Sequence, residues 1–455
     1  MSNICYNLLV RIAFFTDVLL PPLGGIEQHV LTTSQALARS GNEVRVYYPK
    51  PLLRKSETSD TKQETSYHLR PVAGIPMPFI WPNFSFSFPL DLYFELKKWK
   101  PDVVHFHASG PVTWAAIILS KLLKIKLVGT FHSYLMEAEY LGNFGNLGDF
   151  WTRIISRFLW WYVNCVFNCC DVVISPSEWV AKDIRNHGIH KPIKVVHNGA
   201  DLTEFGKTAS EAVVRSIRGK YNLGENVLLY VGRLSREKGL DILLRAICLL
   251  RGQNPWSGAK TAVPNASVTA QRLAQGVLRP LEADGTPSTL AFEHNLGTRT
   301  DDQNYQINLL LVGDGPAEGE LKKFAKELGI LDNIVFVGRV NHQDLPGSGL
   351  YEVSKAFVTA SASENQPLTI IEAMAKRLPI IGVSARGVTE LINGNGLLAL
   401  TGDKNDLANK IYQLISDETS RKKMSIRSAE MSQDYSLTKA TGKLLELYRE
   451  AVSKK

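Results

Sequence analysis

Two glutamates eight residues apart stand in the stretch Ser363-Glu364-Asn365-Gln366-Pro367-Leu368-Thr369-Ile370-Ile371-Glu372-Ala373-Met374-Ala375. Glu364 lies in a polar segment and Glu372 inside an apolar run. This predicts a loop followed by a helix that begins near Pro367 and turns Ile371, Met374 and Ala375 to the core. Proline suits a first helical turn, because the N–H it lacks has no partner there in any case. The amino end of such a helix is partly positive and carries free N–H groups, so an anion such as a pyrophosphate suits the place the Glu364 loop faces. Glu364 could accept from sugar hydroxyls beside that phosphate, and Glu372, about two turns deeper, from another pair.

Two further groups could act with these acids. In Gly232-Arg233-Leu234-Ser235-Arg236-Glu237-Lys238-Gly239 the cations Arg233 and Lys238 lie in a glycine-bounded loop, between an apolar strand over 227–231 and an amphipathic helix over 240–250. Placed so, they can neutralise a diphosphate from two sides. His132 follows a predicted strand over 127–131, and His107 ends another over 102–107. A histidine just past a strand in a doubly wound sheet stands where such folds bind ligands.

The elements that must position these residues alternate strand and helix. A strand over 8–16, a loop with Pro21, Pro22, Gly24 and Gly25, a helix over 26–38 and a strand over 44–48 make a Rossmann-type unit, in which paired glycines let the backbone approach a ligand. Residues 51–70 are polar and read as an exposed loop, and a helix is expected over 112–123. Residues 150–170 hold Trp151, Phe158, Trp160, Trp161, Tyr162 and Phe167 around Arg153 and Arg157. They read either as an aromatic helix lying on a membrane surface or as a core helix. A linker with a short helix over 206–226 leads to the second unit, which continues through strands over 307–312, 334–337, 357–360 and 379–383. Residues 251–305 interrupt it as a polar insertion with one weak helical patch over 271–278, expected to be poorly ordered. A helix over 438–452 is expected to pack back across the first domain.

The 455 residues suffice for two or three domains, and 44% hydrophobic with 21% charged residues is an ordinary globular balance. Five cysteines without paired spacing make no disulfide framework and no metal set with matching histidines, which fits a reducing, cytoplasmic compartment. The first twenty residues are apolar but interrupted by Arg11 and Asp17 with no small-residue cleavage site, so they read as a strand and not a leader. No uncharged run reaches the ~20 residues a spanning helix needs. The net charge of +8 favours anionic partners, yet no recognisable nucleic-acid module interleaves aromatic and basic residues.

The Glu364/Glu372 stretch resembles the Glu-x7-Glu motif of retaining glycosyltransferases of family 4. So do Gly24-Gly25-Ile26-Glu27-Gln28-His29, Thr130-Phe131-His132, Asn198-Gly199-Ala200-Asp201, the Arg233/Lys238 loop and, in shortened form, Gly387-Val388-Thr389-Glu390. Where the family loop reads Glu-Gly-Phe-Gly, this chain has Asn365, Gln366 and Pro367, and Pro367 removes a backbone donor. The resemblance implies an α/β chain of the GT-B fold, two facing Rossmann-like domains with parallel sheets: an acceptor domain over 1–205, a nucleotide-sugar domain over 206–437 and a returning helix over 438–455. It implies transfer of a hexose, with retention, from a nucleotide diphosphate sugar such as UDP-glucose. His132, Glu364, Arg233 and Lys238 would be catalytic. Gly24, Gly25, Arg233, Lys238, Arg339, Val340, Asn365, Gln366, Leu368, Thr369 and Glu372 would bind the donor. No metal and no cofactor is expected. The segment from Phe131 and the Ser363–Thr369 loop look most like the branch that glucosylates diacylglycerol. A lipid acceptor and a peripheral place on an anionic cytoplasmic membrane face follow from that likeness, and Lys121, Lys124 and Lys126 agree with it. Polysaccharide or lipopolysaccharide assembly is the alternative acceptor class, a nucleotide-sugar epimerase the alternative enzyme, and nucleic acid is not an expected partner.

Overall fold

In a computed structural model the described residues are 9–17, 25–49, 66–72, 75–76, 85–86, 90–132, 134, 148–251 and 306–453. Gly24, Ser133, residues 51–65 of the expected loop and residues 252–305 of the expected insertion, with the 271–278 patch, lie outside them.

Each half of the chain builds one parallel sheet. The first has the order β3-β2-β1-β6-β7-β8-β9, from β1 (Arg11–Phe15), β2 (Glu43–Pro49), β3 (His68–Val72), β6 (Val103–Phe106), β7 (Lys126–Thr130), β8 (Val172–Ser175) and β9 (Ile193–Val195). A separate antiparallel pair joins β4 (Ile75–Pro76) and β5 (Ser85–Phe86). The second sheet has the order β12-β11-β10-β13-β14-β15, from β10 (Asn226–Val231), β11 (Ile307–Val312), β12 (Ile334–Gly338), β13 (Ala356–Val358), β14 (Ile380–Val383) and β15 (Gly396–Ala399). The expectation of loop throughout 51–70 is corrected at its end. His68–Val72 adds to β2 as a parallel edge strand, where a polar, exposed sequence is tolerated because one side of the ladder is open.

Both sheets are covered on both faces, which is why their strands read as nearly continuous apolar runs. In β10, Leu228 and Tyr230 face one core while Val227, Leu229 and Val231 face the other. The helix Leu437–Ser453 leaves the second half and packs on the first sheet, burying Leu444, Leu445, Leu447 and Tyr448 among Ile12, Phe14, Val30 and Val128. The Tyr448 hydroxyl lies 2.5 Å from His105 Nδ1 in that core.

The aromatic helix Gly148–Phe167 combines both of its readings. Val163, Val166 and Phe167 are buried, and Trp160 and Tyr162 pack against the same core. The opposite face leaves Phe150, Trp151, Ile154, Phe158 and Trp161 exposed, with Trp151 at 59% and Trp161 at 60%. The Tyr162 hydroxyl donates to the Ser109 carbonyl at 2.6 Å, tying the helix to the loop that follows β6.

Candidate functional site

In each sheet the strand order reverses beside the first strand, between β1 and β6 and between β10 and β13. Loops leaving neighbouring strands there diverge and open a crevice at the carboxyl ends of the strands. The Gly232–Gly239 loop leaves β10 and the Glu364 loop follows β13, so the two predicted charge clusters are brought together although 126 positions separate Lys238 from Glu364.

Lys238 Nζ lies 2.6 Å from Glu364 Oε1, with both side chains about four-fifths buried. Arg233 is paired with Glu237 at 2.9 Å, and its Nε donates to Ser235 Oγ at 3.2 Å. Each predicted diphosphate cation therefore already holds a carboxylate, and a diphosphate must displace both. Gly239 turns this loop with φ +63°, and a Cβ there would lie 2.6 Å from the Ala360 carbonyl. Any other residue would be strained by that φ and would push the clamp loop off the Glu364 strand.

The Glu364–Pro367 loop rests on Gly387, where a Cβ would overlap the Asn365 carbonyl. Asn365 and Gln366 face the first domain. Asn365 Nδ2 donates to the His132 carbonyl at 2.6 Å. Gln366 Oε1 accepts from the Asn198 backbone N–H at 2.6 Å, and Gln366 Nε2 meets His197 Nδ1 at 2.9 Å. These substitutions of the Gly-Phe-Gly pattern thus act as a strap between the two sheets. A second strap crosses beside it: Glu390 accepts from the backbone N–H groups of Glu178 and Trp179, capping the helix Glu178–Asn186, and the Arg386 guanidinium stands 4.5 Å from the Tyr134 ring centre.

Glu372 sits in the helix Leu368–Ala375, whose first residues Leu368 and Thr369 are half-buried. The acid is only 2% exposed, deeper than a helix-face acid, and Ala375 packs half-buried against the same core as Ile371 and Met374, as expected. Glu372 Oε1 accepts from His342 Nε2 at 2.7 Å, and Oε2 is buried with no partner among the described residues. Burial works to lower the His342 pKa, but the hydrogen bond and charge of Glu372 raise it on balance. His342 escaped the sequence reading because its loop carries no motif. Arg339 and Val340 precede it after β12, with Arg339 Nη1 3.6 Å from Asp314 Oδ2.

On the opposite wall the helix Gly25–Arg39 brings His29 to His107 and His132, and His107 Nδ1 lies 3.1 Å from His132 Nε2. Burial depresses all three, His29 to about 4, and the neighbouring imidazoles push His107 and His132 further down, so the trio is neutral.

Residues 23–204 match the family model described as Glycosyltransferase Family 4, and residues 291–431 match that of glycosyl transferases group 1. The chain belongs to glycosyltransferase family 4. Similar proteins include the alpha-monoglucosyldiacylglycerol synthase of Streptococcus pneumoniae, 23% identical over 416 residues covering 89% of this chain and 78% of that protein. The synthase of the same name from Acholeplasma laidlawii is 23% identical over 383 residues, 82% of this chain and 80% of that one. The structure of Anabaena HepE in complex with UDP-glucose superposes with a TM-score of 0.68 at 18% identity, covering 97% of this chain and all of that one, and so shares the GT-B fold. In this family 4 glycosyltransferase the Asn365 contact to the His132 carbonyl joins the Glu364 loop to the element that carries one histidine of the trio.

Proposed function

We propose that the chain transfers a hexose, with retention at the anomeric carbon, from a nucleotide diphosphate sugar to a membrane lipid, with UDP-glucose as donor and diacylglycerol or a related lipid as acceptor. The observation that carries the donor half is the convergence of Arg233, Lys238 and Glu364 at the β10/β13 crevice. Arg233 and Lys238 supply fixed positive charge where the leaving diphosphate gathers negative charge, the electrostatic work a metal ion could otherwise do. Once Lys238 turns to the phosphate, Glu364 is free to accept from sugar hydroxyls, and the unpartnered Glu372 Oε2 awaits a hydroxyl of the nucleoside. His132 stands on the acceptor side, its carbonyl held by Asn365.

The acceptor half rests on the exposed face of Gly148–Phe167 together with the two relatives named for monoglucosyldiacylglycerol synthesis. Five large apolar side chains exposed on one helix beside its own exposed Arg153 and Arg157, with Lys121 and Lys124 exposed at the end of the helix Pro111–Leu123, suit an anionic lipid surface. No helix among the described residues is long and apolar enough to cross a membrane. The test is incubation with membrane lipid extract and a panel of UDP- and GDP-sugars, with mass spectrometry of the products and NMR of the new anomeric centre. A hexosyl lipid with the donor's configuration supports the reading. A product only on soluble or polymeric saccharide, or an inverted centre, overturns it.

A further inference from the structure

A second charged side chain stands one turn after Glu372 on the same helix. Lys376 caps that helix, its N–H donating to the Glu372 carbonyl at 3.0 Å, and residues four apart lie on one face. The lysine side chain is only 4% exposed. Its Nζ lies 2.9 Å from Glu352 Oε1, donates to the Pro346 carbonyl at 2.5 Å and donates also to the Lys207 carbonyl. All three hydrogens of the ammonium are thereby used. Burial of a lysine is costly unless its hydrogens find acceptors, so this one is fixed by what surrounds it.

Lys207 belongs to the linker that carries the chain from the first domain into the second, and the linker is tied twice. Glu352 Oε1 also accepts from the Ala209 N–H at 3.1 Å. Just before these ties Phe205 is buried, its ring centre 5.5 Å from that of His342 and 6.1 Å from that of Tyr351. His342 in turn holds Glu372 Oε1. The linker therefore reaches Glu372 by two routes, through Lys376 along the helix and through Phe205 and His342 across it. Tyr351 belongs to the same group, with Lys376 Nζ 5.9 Å from its ring centre. Burial raises the Tyr351 hydroxyl, and the carboxylates of Glu372 and then Glu352 raise it further, so both acids act on a hydroxyl that keeps its proton.

The backbone at this helix end is strained. Arg377 has φ +62°, in the left-handed region that glycine adopts freely and arginine does not. Its N–H donates to the Met374 carbonyl, and the Leu378 N–H to the Ala373 carbonyl, both at 2.9 Å, which closes the helix in a turn that ordinarily employs glycine. Such a residue persists where its surroundings over-determine the backbone. The three ties on Lys376, immediately before it, supply that constraint.

We propose that Lys376 is a positioning residue, which with Glu352 locks the helix that carries Glu372 to the linker between the domains, so that donor site and linker move as one unit. Nucleotide held by Glu372 then stiffens the linker without touching it, and a linker that shifts carries Glu372 with it. The proposal rests on the reading of Glu372 as a nucleoside-binding acid.

The test uses the full chain and UDP. Loss of a hydrogen bond to a charged acceptor weakens binding by about ten- to 150-fold, and a Glu372 that is displaced but still present should lose about tenfold. Lys376→Met should show that loss in calorimetry and a raised donor KM, with kcat within about threefold of wild type. It also leaves Glu352 buried without its cation, so the double variant Lys376→Met with Glu352→Leu is the control for folding, because apolar residues in place of a buried ion pair keep or raise stability. Its thermal midpoint should return to the wild-type value while UDP binding stays weak, a separation that a merely structural role does not give. Wild-type UDP affinity in that double variant overturns the proposal. Hydrogen exchange supplies a measurement without any variant. UDP should slow exchange of the Ala209 amide in the wild-type chain, and an Ala209 amide indifferent to saturating UDP overturns the proposal even if neither variant folds. Wild-type protein that binds neither UDP nor GDP refutes the donor reading itself, and the proposal with it.

Discussion

Glu364→Gln is expected to move nucleotide binding and turnover in opposite directions. In the donor-free chain Glu364 neutralises Lys238 at 2.6 Å, and a diphosphate can claim Lys238 only by breaking that pair. Both side chains retain about a fifth of their exposure, so solvent screens the interaction, and about 1 kcal/mol is a fair value for a pair at the edge of burial. Removing the competing charge while keeping the shape should therefore tighten UDP binding by roughly fivefold. Turnover should fall. A hydrogen bond to a charged acceptor contributes about 1.5–3 kcal/mol, so loss of the carboxylate that orients the sugar should lower kcat by about ten- to 150-fold. Titration calorimetry with UDP and initial rates of UDP-sugar consumption, on the same preparation, give the two numbers. Weaker UDP binding in Glu364→Gln would show that Glu364 supports the diphosphate instead of competing for its lysine, and unchanged turnover would remove the acid from the donor site.

Lys238→Ala and Arg233→Ala should each lower kcat/KM by about two to three orders of magnitude with the fold intact, and near-normal rates in both would end the clamp assignment. The charged His342–Glu372 pair adds stability that is complete below the ordinary histidine value of about 6.5 and is lost as pH rises through the raised value of His342. His342→Gln should erase that part of the pH profile and weaken UDP binding about tenfold, and an unchanged profile would refute the pairing. Acid should destabilise the first domain. His29, His105, His107 and His132 are all held below the unfolded value, so the unfolded chain takes up their protons first as pH falls from about 6.5, each adding a slope of up to ~1.4 kcal/mol per pH unit. Asp17, pushed up to about 6 by burial, opposes this with a single group, so urea midpoints that stay flat from pH 7 to 5 would contradict the buried cluster. Sedimentation with anionic vesicles should show a salt-sensitive part lost in the Lys121, Lys124 and Lys126→Glu variant, at about 1 kcal/mol per charge, and a salt-resistant part lost in Trp151 and Trp161→Ala; indifference to vesicles at low salt would count against a lipid acceptor.

What the sequence determined by itself is local or periodic. The apolar runs of β1, β10 and β11, the glycine-bounded loop around Arg233 and Lys238, and the helix that begins after Pro367 are dictated by side-chain spacing and backbone preference within about a dozen residues. Those signals, with the family resemblance they carry, were enough for two parallel doubly wound sheets. The edge strand His68–Val72 was missed because an open edge does not require apolar residues. The aromatic helix could not be settled from its composition, since only packing decides that Val163 and Phe167 face inward and Trp151 and Trp161 outward.

Tertiary structure alone decided which groups meet. Crossovers of the chain set Lys238 against Glu364, His342 against Glu372 and His29 against His107 and His132, and no sequence period records such pairings. It also turned Asn365 and Gln366 to the first domain, because the contact that holds them lies on another sheet 168 positions away for Gln366 and 233 for Asn365. A residue's type and local spacing set what chemistry it can offer, whereas its protonation and its partner depend on what the fold buries beside it.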